Sequence, residues 1–106
     1  MNLLLQTSQS DLQAQIAITG SKSETNRLLL LQALFPNITL ANTSNSDDSE
    51  VMMKALVPKT QNPEPNTQII DIHHAGTAMR FLTAYFAVNE GREVVLTGST
   101  RMKERP

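Results

Sequence analysis

Three short stretches of this 106-residue chain gather side chains suited to holding anions. The first, Gly20-Ser-Lys-Ser-Glu-Thr-Asn-Arg27, carries an ammonium, a hydroxyl and a guanidinium on Lys22, Ser23 and Arg27. An alternating run (Leu12, Ala14, Ile16, Ile18) precedes it and the apolar Leu28 to Leu31 follow, a pattern that predicts a turn from a strand into a helix. The first N–H groups of a helix have no partner within it, and the aligned peptide dipoles leave partial positive charge there, so that end attracts anions. Gly20 lets the backbone bend sharply and approach a ligand closely. Ser23 and Arg27, four apart, share a helical face; Arg27 can grip a carboxylate or phosphate with two prongs, while Lys22 acts as a point charge. Standing alone, such a turn would read as an ordinary capped helix with solvated cations.

It does not stand alone. In Asp71-Ile-His-His-Ala-Gly-Thr-Ala-Met-Arg80, residues Ala75 to Thr77 lie where another strand gives way to another helix, and Gly76 permits close approach of a ligand. The third stretch, Leu96-Thr-Gly-Ser-Thr-Arg-Met-Lys-Glu-Arg-Pro106, sets Arg101, Lys103 and Arg105 after a strand end and a glycine, the same topological position. Two other chemistries are set aside. His73 and His74 invite a metal, but neighbouring residues at a strand end point to opposite sides and no third ligand lies at a useful spacing, so no metal site is expected. Gly20-Ser-Lys-Ser looks like the tail of a nucleotide-binding P-loop, yet Gln15 stands where that motif has its upstream glycine.

Overall charge adds nothing to this picture. The net charge of -1 exerts no global pull toward nucleic acid or an acidic membrane, so any anion binding must come from local arrangement. Six of the nine Lys and Arg residues do fall within the three motifs. The 40% hydrophobic content suits one globular domain with a modest core. No cysteine is present, excluding disulfides and thiolate metal sites. The start, Met1-Asn-Leu-Leu-Leu-Gln, lacks a basic leader and an apolar run long enough for a membrane span, giving the expectation of a cytoplasmic protein without membrane partners.

The elements that must position the motifs are predicted in order as strands at Leu3 to Leu5 and Leu12 to Thr19, a helix from the first motif to Pro36, and a short strand at Ile38 to Ala41. A second helix follows the cap-forming Asn45 to Asp48. Then come an exposed loop from Pro58 to Thr67, a strand at Ile69 to Ile72, a third helix at Thr77 to Val88, and a strand at Glu93 to Thr97. Strand and helix alternate, which argues an α/β or α+β fold. The first helix is apolar around most of its circumference and needs cover on several sides. Pro106 reads as the opening of a further helix, so the expectation is a longer protein continuing beyond it.

Taken together, Gly20-Ser-Lys-Ser with Asn26-Arg27, Ser46-Asp-Asp48, Ala75-Gly-Thr-Ala-Met-Arg80, and Leu96-Thr-Gly with Arg101-Met-Lys-Glu-Arg-Pro106 resemble the N-terminal quarter of the 3-phosphoshikimate 1-carboxyvinyltransferases, also called 5-enolpyruvylshikimate-3-phosphate synthases. The last block separates that family from its relative, the UDP-N-acetylglucosamine enolpyruvyl transferases. The resemblance implies two domains of βαβαββ units in an inverted α/β barrel, with substrates in the cleft between them. Residues 1–19 would belong to the other domain and 20–106 to the first part of the N-terminal domain. It also implies that Lys22, Ser23 and Arg27 contact shikimate 3-phosphate, that Lys22, Gly76 and Arg101 contact phosphoenolpyruvate, and that no cofactor takes part. The acid and base would come from the second half of the family's sequence, so the present chain would be inactive by itself and, lacking its cover, would self-associate, whereas the parent would be a monomer. Three residues depart from the family's pattern: His73-His74 stand where many members have Gly-Asn, and Phe81 where many have proline. They imply a phosphoenolpyruvate side of altered shape and charge. The competing reading in another class is a non-catalytic anion-binding or interaction module.

Overall fold

The computed structural model describes residues 1–57 and 67–106. Helix α1 (Lys22–Leu34) starts at the predicted turn: the Ser21 hydroxyl caps it by accepting the Glu24 N–H at 3.4 Å. It ends at Phe35, whose N–H closes on the Leu31 carbonyl just before Pro36. Helix α2 (Asp47–Leu56) is capped by Ser46, whose hydroxyl accepts the Ser49 N–H at 3.3 Å, and Asp47, Asp48 and Glu50 in its first turn complement the positive end of the helix dipole. Strand β1 (Gln68–Asp71), helix α3 (Gly76–Ala87), strand β2 (Val94–Thr97) and the single-turn helix α4 (Thr100–Lys103) complete the order.

The strands are parallel, running from Gln68 opposite Val94 to Asp71 opposite Thr97, and α3 supplies the crossover that a parallel pair requires. Beyond the formal strand ends the ladder continues. The Ile72 N–H donates to the Thr97 carbonyl at 2.9 Å, and the Ser99 N–H to the His73 carbonyl at 2.8 Å. The turns that leave the two strands are therefore fastened side by side. At the other end, the Gln68 N–H donates to the Glu93 carbonyl, and the Arg92 guanidinium both donates to the Gln68 side chain and lies 4.9 Å over the Phe86 ring. Met52, Ile72 and Leu82 are fully buried at the centre, with Leu29, Ala55, Ile70, Ala78 and Phe86 around them. The result is a mixed α/β arrangement in which α1, α2 and α3 share one apolar core.

Several expected elements differ. Residues 1–19 form no strand, and Leu3, Leu4 and Leu5 are 80–90% exposed. A strand is stabilised by the edge it pairs with, and these residues pair with none of the described segments. Ile38 to Ala41 form no strand either. Both backbone groups of Ile38 are taken by the end of α1, its N–H by the Phe35 carbonyl and its carbonyl by the Gln32 side chain at 2.9 Å. In the third motif a helical turn forms that the predicted elements did not include, because Ser99 caps α4 by accepting the Met102 N–H. The loop expected at Pro58 to Thr67 lies outside the described residues except for Thr67. Among the described residues no helix is long and apolar enough to cross a membrane.

Candidate functional site

Gly20 fixes the entry to α1. A Cβ there would stand 2.0 Å from the Asn42 carbonyl oxygen, so only glycine allows these two backbones to meet. The same junction is held by the Ser44 N–H, which donates to the Thr25 hydroxyl at 2.9 Å, and by a Thr19 to Asn45 hydrogen bond. These bonds draw the segment leading to α2 across the start of α1, so the two helices begin at the same place.

Two rungs then join them. Lys22 and Asn26, one turn apart on α1, face Asp48 and Ser49 on α2: Lys22 Nζ lies 3.9 Å from the Asp48 carboxylate, and the Ser49 hydroxyl donates to Asn26 Oδ1 at 2.8 Å. Lys22 keeps 49% of its side chain exposed and Asp48 only 13%, so the carboxylate is the fixed member and the ammonium is the one that solvent or a ligand can reach. Asn26 is fully buried, and its Nδ2 has no acceptor among the described residues. A buried N–H without a partner typically costs about 1–3 kcal/mol, which makes this position energetically expensive.

Ser23 is exposed in the first turn of α1, and its carbonyl accepts from Arg27 Nη1 at 2.9 Å. The Arg27 guanidinium also lies 5.9 Å from the Phe81 ring centroid, linking α1 to α3 through a cation–π contact. Phe81 is thus a packing residue, partly buried against the core.

At α3, Ala75 is the N-cap and offers no side-chain hydrogen bond, leaving the first N–H groups without a side-chain cap. Arg105 approaches from α4's far side: its Nη1 lies 3.2 Å from where a Gly76 Cβ would stand, so a guanidinium sits over that helix start. Arg101 is exposed on α4 and makes no hydrogen bond or ion pair among the described residues. The turns of the second and third motifs touch closely, since a Cβ on Gly98 would stand 3.0 Å from the His73 carbonyl oxygen. His73 occupies the left-handed region (φ 52°), its N–H held by Asp71 Oδ1 at 2.8 Å, and His74 Nε2 lies 3.6 Å from the Asp47 carboxylate at the head of α2.

A continuous set of contacts therefore runs from Lys22 through Asp48 and Asp47 to His74, and from His73 to Ser99, bringing the three motifs to one end of the molecule at the carboxyl ends of the parallel strands. Open α/β sheets bind ligands at that end. Sequence reasoning did not find the Asp48 partner of Lys22, the burial of Asn26, or the contact of Arg105 with Gly76; the four-residue spacing of Lys22 and Asn26 was the available signal for the first two. Among the described residues no group of three or more His, Asp or Glu side chains is placed to hold a metal ion. A cleft of about 530 Å³ between α2 and β1 includes none of Lys22, Ser23, Arg27, Gly76 or Arg101 in its lining, and Asp47, Glu50 and Asp71 make it a poor host for a dianion.

Comparison with known proteins gives matches of one kind. Residues 57–106 match the family model of EPSP synthase (3-phosphoshikimate 1-carboxyvinyltransferase), a span that holds the second and third motifs. Over 98 residues, 92% of this chain, the sequence is 43% identical to the 3-phosphoshikimate 1-carboxyvinyltransferase of Bacteroides fragilis strain YCH46, of which the match covers 22%. The enzymes of the same name from Aliivibrio fischeri strain MJ11 (41% identical) and Vibrio campbellii (39%) align with 92% and 90% of the chain and with 27% of their own length. The chain thus spans about a quarter of the length of the curated relatives it matches. No solved structure matches.

Proposed function

From the premise that this chain belongs to the EPSP synthase family, we propose that it forms the N-terminal part of a cytoplasmic, monomeric enolpyruvyl transferase. That enzyme moves the carboxyvinyl group of phosphoenolpyruvate to the 5-hydroxyl of shikimate 3-phosphate and releases phosphate. Lys22, Ser23 and Arg27 contact shikimate 3-phosphate at the start of α1. Lys22, Gly76 and Arg101 receive phosphoenolpyruvate, so the Lys22 ammonium lies between two anions that repel each other. Holding both in one orientation removes most of the entropic barrier to their encounter, and cations fixed around them offset the repulsion.

In the addition step the 5-hydroxyl bonds to C2 of the enolpyruvyl group while C3 takes a proton; loss of a proton from C3 then expels phosphate and restores the double bond. An acid and a base are needed, and we assign them to sequence beyond residue 106. Residues 20–106 begin the N-terminal domain of an inverted barrel of βαβαββ units, and the exposed 1–19 segment pairs within the other domain.

The observation that carries this reading is the convergence of three cation-bearing turns, through Lys22 to Asp48, Asp47 to His74 and the Ser99 to His73 hydrogen bond, at one end of a parallel sheet. Calorimetric titration of shikimate 3-phosphate into the complete enzyme tests it. Lys22→Ala or Arg27→Ala should each remove a charge-assisted contact worth about 1.5–3 kcal/mol, or about 10- to 150-fold in affinity. Lys54→Ala, exposed in the last turn of α2, should change it by less than about twofold. Equal, small effects at all three positions would reduce the first motif to a helix cap.

A further inference from the structure

We propose that Asn26 is a positioning residue for the anion site, acting through Lys22. The inference rests on the reading of Lys22 as a substrate-binding cation and adds the device that aims it. Asn26 lies one turn below Lys22 on the same face of α1, fully buried, and its Oδ1 accepts the Ser49 hydroxyl at 2.8 Å. Ser49 is in turn bound by Ser46, the N-cap of α2, whose hydroxyl donates to Ser49 Oγ at 3.0 Å and accepts the Ser49 N–H. The carboxamide is thereby coupled to the cap that sets where the first turn of α2 begins, and that turn carries Asp48, the partner of Lys22.

Stability alone does not account for an asparagine here. Its Nδ2 has no acceptor among the described residues, so the side chain carries a desolvation cost that an apolar residue of similar volume would avoid. The Ser49 hydroxyl would keep its bond from Ser46 after such a replacement. What would be lost is a direct side-chain hydrogen bond between α1 and α2, one turn inside the junction that the Ser44 to Thr25 bond closes, and with it a constraint on the rotation and axial register of one helix against the other. An apolar contact is non-directional and tolerates sliding of a helix along its neighbour, whereas a bond of 2.8 Å does not. Lys22 is exposed to such sliding, because its half-exposed ammonium has Asp48 of α2, at 3.9 Å, as its ion-pair partner.

The test is a double-mutant cycle in the complete enzyme, measuring shikimate 3-phosphate affinity by calorimetry and melting temperature in parallel. Asn26→Leu is expected to weaken binding about tenfold while leaving the melting temperature equal to or above that of the parent. In the Lys22→Ala background the same change should weaken binding by less than about twofold, because the cation it aims is gone. Ser49→Ala should weaken binding in smaller degree and, unlike Asn26→Leu, lower the melting temperature, because it leaves the buried Asn26 carboxamide without a partner. Should Asn26→Leu weaken binding by the same factor in both backgrounds, or not at all, the positioning role is wrong while the Lys22 site stands. Should Lys22→Ala by itself leave the affinity unchanged, the functional reading falls first and the positioning role with it.

Discussion

At the scale of single residues, His73 shows how conformation and charge separate. Its φ of 52° lies in the left-handed region, where a side chain costs about 1–2 kcal/mol relative to right-handed backbone and glycine has no such penalty. The exposed pair it makes with Asp71, at 3.5 Å, contributes little. Melting temperatures should therefore rank His73→Gly at or above the parent, by up to about 1 kcal/mol, and His73→Val below it by about 1–2 kcal/mol, since a branched Cβ is a poor fit to that backbone. The reverse ranking would mean that the imidazole's contacts, not its backbone, set the energy of this turn. The sequence marked Lys22, Ser23, Arg27 and Gly76 by type and spacing, which are local signals, whereas Arg101 stood out from its run only through the family resemblance. It could not mark Asp48 as the partner of Lys22 or Asn26 as a buried group, because both depend on α2 packing against α1 from 23 to 26 residues away. Arg105 was visible only as one cation in a run.

At the scale of elements, α1, α2, α3 and both strands were legible from local signals: Ser21 and Ser46 as caps, Phe35-Pro36 as a stop, the apolar pattern of α3, and the apolar residues Ile69-Ile70 in β1 and Val94 to Leu96 in β2. The strands expected before Gly20 and at Ile38 to Ala41 were not formed, since alternation records a tendency to extend but not the presence of an edge to pair with. Ile38 shows the competing force directly, its backbone bonded to Phe35 and Gln32 instead. The junction of α1 with the segment before α2 also yields a prediction. Gly20→Ala must push the Asn42 carbonyl away, since the added Cβ would stand 2.0 Å from its oxygen, opening the junction that the Thr25 to Ser44 bond closes. We expect a loss of about 1–3 kcal/mol, from the strain of overpacking, and faster amide exchange at Ser44. An unchanged melting temperature with unchanged exchange at Ser44 would show that the two backbones need not touch.

At the scale of the whole molecule, the chain is too open for its length. Its radius of gyration is 18.7 Å, against roughly 13 Å for a compact domain of this size, and the long axis reaches 63 Å. Leu28, Leu31 and Leu34 on α1 remain 41–51% exposed, and Leu12, Ile16 and Ile18 68–80% exposed. Apolar surface of this extent seeks a partner. The 106-residue chain by itself should sediment with a concentration-dependent mass; a monomer with a sharp, concentration-independent melting transition would contradict that. The proposed function also bears on chemistry at this scale, because it assigns the binding of two anions to this chain and the acid and base elsewhere. Release of phosphate from phosphoenolpyruvate is therefore the most direct measurement of the central claim. The complete enzyme should release it only when shikimate 3-phosphate is present, not with UDP-N-acetylglucosamine in its place; Lys22→Ala should lower the rate at least about tenfold, and the isolated chain should release none. Release by the isolated chain above its own Lys22→Ala control, or a complete enzyme indifferent to shikimate 3-phosphate, would contradict the account.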